Sequence, residues 1–330
     1  MKFLIAGSGS IGRRHIRNLV ALGEKDIILY RTHQSTLPDE ELASLLFETN
    51  LGTALDYKPD AVIISNPTAA HMDVALPASE MGCHLLIEKP VSHNLEGIEQ
   101  LRQNVIRNEK KILIGFQFRF HPVLLQIKDL LGSGSIGRPL SAHVHWGEYL
   151  PGWHPWEDYH RAYSARNDLG GGVILTLCHP FDYLRWLIGE VEGVSGNVGN
   201  ISDLELQVED NADVILSFEN GCMGTVHLDY YQRPPTHSME ITTTKGNIRW
   251  NNASGEAEIY HTEFGWSRLE PPSGFERNDL FLAEMKHFLE VVRNEKEPYC
   301  DLDDGRKTLE IALAIHESSQ NGCKRVTVNS

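Results

Sequence analysis

Residues 3–12, Phe3-Leu4-Ile5-Ala6-Gly7-Ser8-Gly9-Ser10-Ile11-Gly12, decide how the first part of the chain is read. Four consecutive apolar side chains suit a strand buried on both faces. Glycines spaced G-x-G-x-x-G follow at once, and Ile16, Leu19 and Val20 then recur at helical spacing. After a strand and at the start of a helix, the three glycines have separate tasks. Gly7 permits the tight turn, Gly9 lets a pyrophosphate approach the backbone, and Gly12 lets helix and strand pack closely. Ser8, Ser10 and Ile11 complete the loop, whose N–H groups at the helix start face anionic phosphates. The expectation is a dinucleotide site.

Moving outward, the next strand, Ile27 to Tyr30, ends in Arg31-Thr32-His33-Gln34-Ser35. Sites for NAD tend to place Asp or Glu there to hold the ribose 2′-OH. This chain has no acid at that point. Arg31 can bind a 2′-phosphate and stack on adenine, with Thr32 beside it, so NADP is the expected cofactor and NAD the alternative. The plainer reading of Arg31 is a solvated surface arginine. The α/β rhythm then repeats: a strand over 61–65, a helix over 71–81 with Thr68 as its N-cap, a strand over 84–87, another helix, and a strand over 111–115. Alternation of this kind predicts a doubly wound parallel sheet with ligands at the strand C-termini. Ser65-Asn66-Pro67, Glu88-Lys89-Pro90 and Gln117-Phe118-Arg119 all fall at that edge. With nearby His71, they supply the candidate cofactor contacts Ser65, Asn66, Pro67, His71, Glu88, Lys89 and Arg119.

Composition sets outer limits. The chain has 330 residues, room for two cored domains, and its 45 acidic against 30 basic side chains give a net charge of −15. That field repels phosphate polymers and anionic lipid, so nucleic acid and membrane are not expected partners. No apolar run reaches the roughly 20 residues of a membrane span. The apolar start stops at Gly7, too short for a signal peptide, and is expected to be a buried strand. Five scattered cysteines (Cys83, Cys178, Cys222, Cys300 and Cys323) without C-x-x-C point to a reducing compartment, and the expected location is cytoplasmic.

Glu88-Lys89-Pro90 after the fifth strand resembles the hallmark of the glucose-fructose oxidoreductase/inositol dehydrogenase (Gfo/Idh/MocA-like) family. The resemblance continues through Gly170-Gly171-Gly172-Val173-Ile174-Leu175, then His179, Asp182 and Trp186-Leu187-Ile188-Gly189, which look like that family's glycine-started active-site helix. The closing helix near 280–292, Asp304-Gly305 and the last helix and strand fit as well. The family implies an N-terminal Rossmann domain, here residues 1–120. It also implies a C-terminal α+β domain over 121–330, with an open, mostly antiparallel sheet covered by helices on one face. The last helix and strand are expected to pack back on the first domain. Alternation over 140–146 and hairpin signals at Glu219-Asn220-Gly221 and Lys245-Gly246 agree with such a sheet.

The resemblance also implies chemistry: hydride transfer between nicotinamide and a hydroxyl or carbonyl carbon of a sugar or sugar derivative. Lys89 would orient the substrate oxygen, and His179, from the other domain, would exchange its proton. Asp182, three residues on, would orient His179 or bind a substrate hydroxyl. Many relatives carry an aspartate a turn before the histidine, where this chain has Leu175 and Thr176. Two alternatives therefore stand: a bound-cofactor glycosidase or epimerase of the same fold, and a non-catalytic cofactor-bound regulator. The stretch 146–161 interleaves three Trp and two Tyr with charged residues. It reads as a carbohydrate surface or an oligomer interface. The candidate substrate contacts are Lys89, Arg119, Tyr149, Trp156, Thr176, His179 and Asp182. His143 and His145 share a strand face but lack a third placed ligand, so no metal is expected. A homodimer or homotetramer is expected from the family's exposed sheet face.

Overall fold

A computed structural model describes residues 1–32 and 40–328. His33, Gln34 and Ser35, read above with Arg31, lie outside the described residues. The chain divides into two compact units: residues 1–117, 168–170 and 276–306, and residues 118–167, 171–275 and 307–330.

The first unit holds β1 (Lys2–Ala6), α1 (Ser10–Ala21), β2 (Asp26–Tyr30), β3 (Leu46–Glu48), α2 (Leu51–Asp56), β4 (Ala61–Ile64), α3 (His71–Glu80), β5 (His84–Glu88), α4 (Ile98–Arg107) and β6 (Ile112–Gly115). Among the described residues the six strands form one parallel sheet, ordered β3-β2-β1-β4-β5-β6. This is the doubly wound Rossmann sheet that the apolar runs predict. Phe3 to Ala6, Ala61 to Ile64 and Leu85 to Ile87 are wholly buried, because helices cover both faces. Thr68 does not cap α3: a 3₁₀ turn over Thr68–Ala70 intervenes, and Ala70 takes the N-cap position.

The second unit holds α5 (Pro122–Gly132), β7 (Pro139–Tyr149), α6 (Val173–Thr176), α7 (His179–Ile188), β8 (Val191–Gly199), β9 (Asn211–Phe218), β10 (Met223–Asp229), β11 (Tyr231–Thr243), β12 (Gly246–Asn251), β13 (Ala257–His261) and β14 (Gly265–Leu269). With a strand near the C-terminus, β15 (Val326–Thr327), they form a nine-stranded mixed sheet, ordered β14-β13-β12-β11-β7-β10-β9-β8-β15. All its pairs are antiparallel except β7 with β10. Ala142, Val144 and Trp146 point to the buried face of β7, while His143 and His145 point to the open one.

Three expectations need correction. The division falls between 117 and 118 rather than at 120. It is α8 (Arg277–Val292) that joins the first unit, where the Arg14 guanidinium lies 4.4 Å from the Phe281 ring and Asn278 donates to Asn18. The last strand stays with the second unit: β15 pairs with β8, and Gly193 leaves room for the Arg325 side chain, which binds Glu192. Most of α9 (Leu302–Gln320) goes with it, its first residues through Arg306 belonging to the first unit. The glycine-started helix is also two helices, α6 and α7. Pro180 has no N–H to donate to the Thr176 carbonyl, so it cannot carry α6 onward, whereas in the first turn of α7 that missing donor costs nothing; α6 ends and His179 starts a new helix.

Candidate functional site

In the first unit the candidate residues gather where β1, β4 and β5 end. Gly7 has φ +107°, and a Cβ there would lie 2.7 Å from the Asn66 nitrogen. Gly12 packs so closely under the loop that a Cβ would stand 2.2 Å from the Gly7 carbonyl oxygen and 2.7 Å from Ser65 Oγ. Ser65 Oγ itself donates to the carbonyl oxygen of Ala6. Ser65 and Gly12 thus shape the loop. At Gly9 the reverse holds, since nothing lies within 4 Å of a Cβ position. Gly9 is the N-cap of α1, contributes no side-chain cap, and no acid occupies the first turn. The helix start therefore offers N–H groups and positive dipole to an open space, which fits the pyrophosphate of a dinucleotide.

Arg31 lies at the end of β2 with its guanidinium 5.0 Å from the Phe47 ring, and Thr32 beside it is exposed. His71 is buried, and burial lowers its pKa. Its Nδ1 is 3.0 Å from the Pro90 carbonyl oxygen and its Nε2 3.0 Å from that of Asn66. His71, expected as a cofactor contact, ties the loop after β4 to the loop that carries Lys89. Asn66 is held by its Nδ2 donating to the Ala70 carbonyl oxygen, with Pro67 next to it. Glu88 turns inward: Oε1 is 2.7 Å from His15 Nε2 on α1. Burial, with the Glu88 charge, holds Glu284 of α8 well above the usual carboxylate range. Glu88 is thus placed to brace the strand end, and half-buried Lys89 follows it.

In the second unit His179 begins α7 and is buried. Phe118 meets its ring edge-on at 5.0 Å between centroids, and Trp146 lies at 5.6 Å. Trp146 stacks on His237 at 4.1 Å, and His237 Nε2 is 3.2 Å from the Tyr183 hydroxyl. Sequence reasoning missed His237, Tyr183 and Phe118 as neighbours of His179. Only Tyr183, four residues along α7, carried a local signal.

Asp182 takes the Arg119 guanidinium, Nη2 to Oδ1 at 2.7 Å and Nε to Oδ2 at 3.0 Å, with both side chains buried. The structure thus joins two residues that the sequence reading kept apart. Thr176 is buried beside Tyr230, and its hydroxyl partly offsets the burial that raises the Tyr230 pKa well above its usual range. Glu209, also missed, accepts from the Ile174 N–H at the start of α6 at 3.2 Å, and burial pushes its pKa up to about 7. Of the aromatic stretch, Trp146 is core, Trp153 packs on Tyr230 at 5.6 Å, and Trp156 is 63% exposed. Tyr149 is stacked by Arg233 at 4.2 Å. Only part of that stretch is free to meet a ligand.

Residues 1–116 match the oxidoreductase family, NAD-binding Rossmann fold model, and residues 124–249 match the GFO/IDH/MocA C-terminal domain model. Myo-inositol 2-dehydrogenase of Thermotoga maritima is 26% identical over 96% of this chain and 96% of its own. D-xylose 1-dehydrogenase (NADP(+)) 2 of Haloferax volcanii is 22% identical, covering 98% of each chain. Among solved structures, levoglucosan dehydrogenase in complex with NADH and levoglucosan superposes with TM-score 0.88 over 100% of both chains, at 19% identity. That likeness speaks for the fold. No helix of the described residues is long and apolar enough to cross a membrane.

Proposed function

Since the chain belongs to the GFO/IDH/MocA family of NAD(P)-dependent oxidoreductases, we propose that it oxidises a hydroxyl of a sugar or sugar derivative, or reduces the matching carbonyl, with NADP preferred. The observation that carries this reading is local to the first unit. The open, uncapped helix start at Gly9 and Lys89 at the end of β5 share one sheet edge, and His71 ties the loop after β4 to the loop that carries Lys89. When bound, the nicotinamide accepts or supplies the hydride.

The chain's own residues do the rest. The backbone of Gly7 to Gly12 holds the pyrophosphate, and Arg31 with Thr32 holds the 2′-phosphate end. The Lys89 ammonium donates a hydrogen bond to the substrate oxygen, orienting it and stabilising the negative charge that grows there. A ring nitrogen of His179 takes the hydroxyl proton and returns it in the reverse direction. Arg119, held by Asp182, is the further side chain read as a substrate contact. Tyr149 and exposed Trp156 offer aromatic faces to the sugar's C–H surface.

The test is a screen of inositols, aldoses and deoxysugars with NAD⁺ and NADP⁺, followed by nicotinamide absorbance. Turnover of one sugar class with NADP⁺ favoured is expected. A cofactor that copurifies tightly, with no net turnover of any sugar, would overturn this reading in favour of a bound-cofactor glycosidase or epimerase, or of a cofactor-bound regulator.

A further inference from the structure

The open face of the second sheet carries a cluster that the sugar chemistry does not use. Parallel pairing of β7 with β10 sets His227 directly beside His145, and Asp229 beside Gly147. Alternation along the strands turns His145, His227 and Asp229 to the same side. The Asp229 side chain is fully buried, and its Oδ1 accepts from the N–H groups of Tyr231 at 2.9 Å and Gln232 at 2.6 Å. Those bonds fix the carboxylate with Oδ2 toward the two imidazoles, 3.3 Å from His227 Nε2 and 3.6 Å from His145 Nε2. Neither the Oδ2 atom nor His145 Nε2 has a hydrogen-bond partner, although both atoms are buried.

Two neighbours shape this arrangement. A Cβ on residue 147 would lie 2.1 Å from Asp229 Oδ2, so glycine there leaves the carboxylate its place. His227 Nδ1 is 2.7 Å from Asp213 Oδ1, the carboxylate–histidine contact that aims the other ring nitrogen at a metal. By distance Asp229 Oδ2 is within ion-pair reach of both imidazoles, but neither it nor His145 Nε2 makes a hydrogen bond, and a cation between the three atoms would satisfy both.

We propose that His145 Nε2, His227 Nε2 and Asp229 Oδ2 bind a divalent transition-metal ion of the Zn²⁺ kind. Such an ion takes imidazole nitrogen and carboxylate oxygen at about 2.0–2.2 Å. The three ligand atoms lie within 4.8 Å of one another, so small rotations of the two half-exposed imidazoles close the site. Two carboxylates, Asp229 and Asp213, balance a double positive charge. A cavity of about 380 Å³, lined by Ser195, Asn197, Asp213, Thr225 and Cys323, opens beside His227. The sequence held one of the three ligands: the two partners of His145 come from β10, 82 and 84 residues on, while His143 turns to Thr225 Oγ1 at 2.7 Å.

The test uses the untagged full chain, with Zn²⁺ titrated against a chromophoric chelator and Co²⁺ as a spectroscopic probe. The wild type should take up one equivalent of Zn²⁺, gain thermal stability from it, and give Co²⁺ ligand-field bands. Asp213→Asn should weaken binding by about 10- to 100-fold. His145→Ala and Asp229→Asn should weaken it at least as much, and His143→Ala should leave it unchanged. His145 is 41% exposed, so its alanine variant keeps the fold, as circular dichroism would verify. Equal Zn²⁺ affinity in wild type and His145→Ala, or no equivalent bound by the wild type, would overturn the proposal.

Discussion

The glycine loop of the first unit and the surroundings of His179 in the second are built on opposite plans. The loop is six consecutive residues, Gly7 to Gly12, and its binding groups are backbone N–H groups fixed by one turn and one helix start. Around His179 the groups are side chains drawn from separate segments: Phe118, Trp146, Tyr183 and His237, with Arg119 and Asp182 paired nearby. A backbone site travels with its local sequence. A side-chain site exists only once the sheet and its helices have assembled, so it should be costly to disturb and sensitive to charge.

The largest effect should come at the sheet edge of the first unit. Lys89→Ala is expected to lower kcat by about 10²–10⁴-fold while the fold and cofactor binding persist, as steady-state kinetics beside cofactor titration would show. Next is the buried pair of the second unit. Asp182→Ala leaves the Arg119 charge without its carboxylate in a buried setting, and denaturant unfolding should register a loss of about 3–5 kcal/mol. Replacing both residues with apolar ones of similar volume should recover much of it.

Glu209 gives the comparison a pH signature. Burial raises its pKa from the ordinary 4.5 to about 7, so the folded chain holds a proton there that the unfolded chain releases. The folded state thus gains relative stability below about pH 4.5 and loses it as pH rises through about 7, by on the order of 3 kcal/mol at most. Glu209→Gln should unfold at a higher temperature than the wild type at pH 8, with the difference shrinking toward pH 5. A difference independent of pH would show that the carboxyl is not buried in this way. The smallest effect concerns Arg31. Its replacement by alanine should erase a preference for NADP⁺ over NAD⁺ worth about 1–3 kcal/mol, measured by calorimetry.

The same contrast explains what the sequence made legible. Phe3 to Gly12 announced strand, turn and helix because buried parallel strands are continuous apolar runs and the loop's chemistry is local. Alternation along 140–146 foretold β7 and that His143 and His145 share one of its faces. It was silent on His227 and Asp229, because parallel register is a tertiary fact. Likewise, Asp182 looked like a partner for His179 at three residues' distance, but Arg119, 63 residues upstream, holds its carboxylate. The placement of α8 with the first unit rests on Asn278 and Phe281 meeting α1, contacts that no local period encodes.

One measurement bears most directly on the division of labour between the two regions. In His179→Ala, the cofactor Kd and kcat with the substrate found by screening are determined on the same preparation. The predicted result is a Kd within about twofold of wild type and a kcat lower by about 10²–10⁴-fold, with loss of the imidazole ionisation from the kcat–pH profile. A kcat near wild type, with that ionisation retained, would contradict the account.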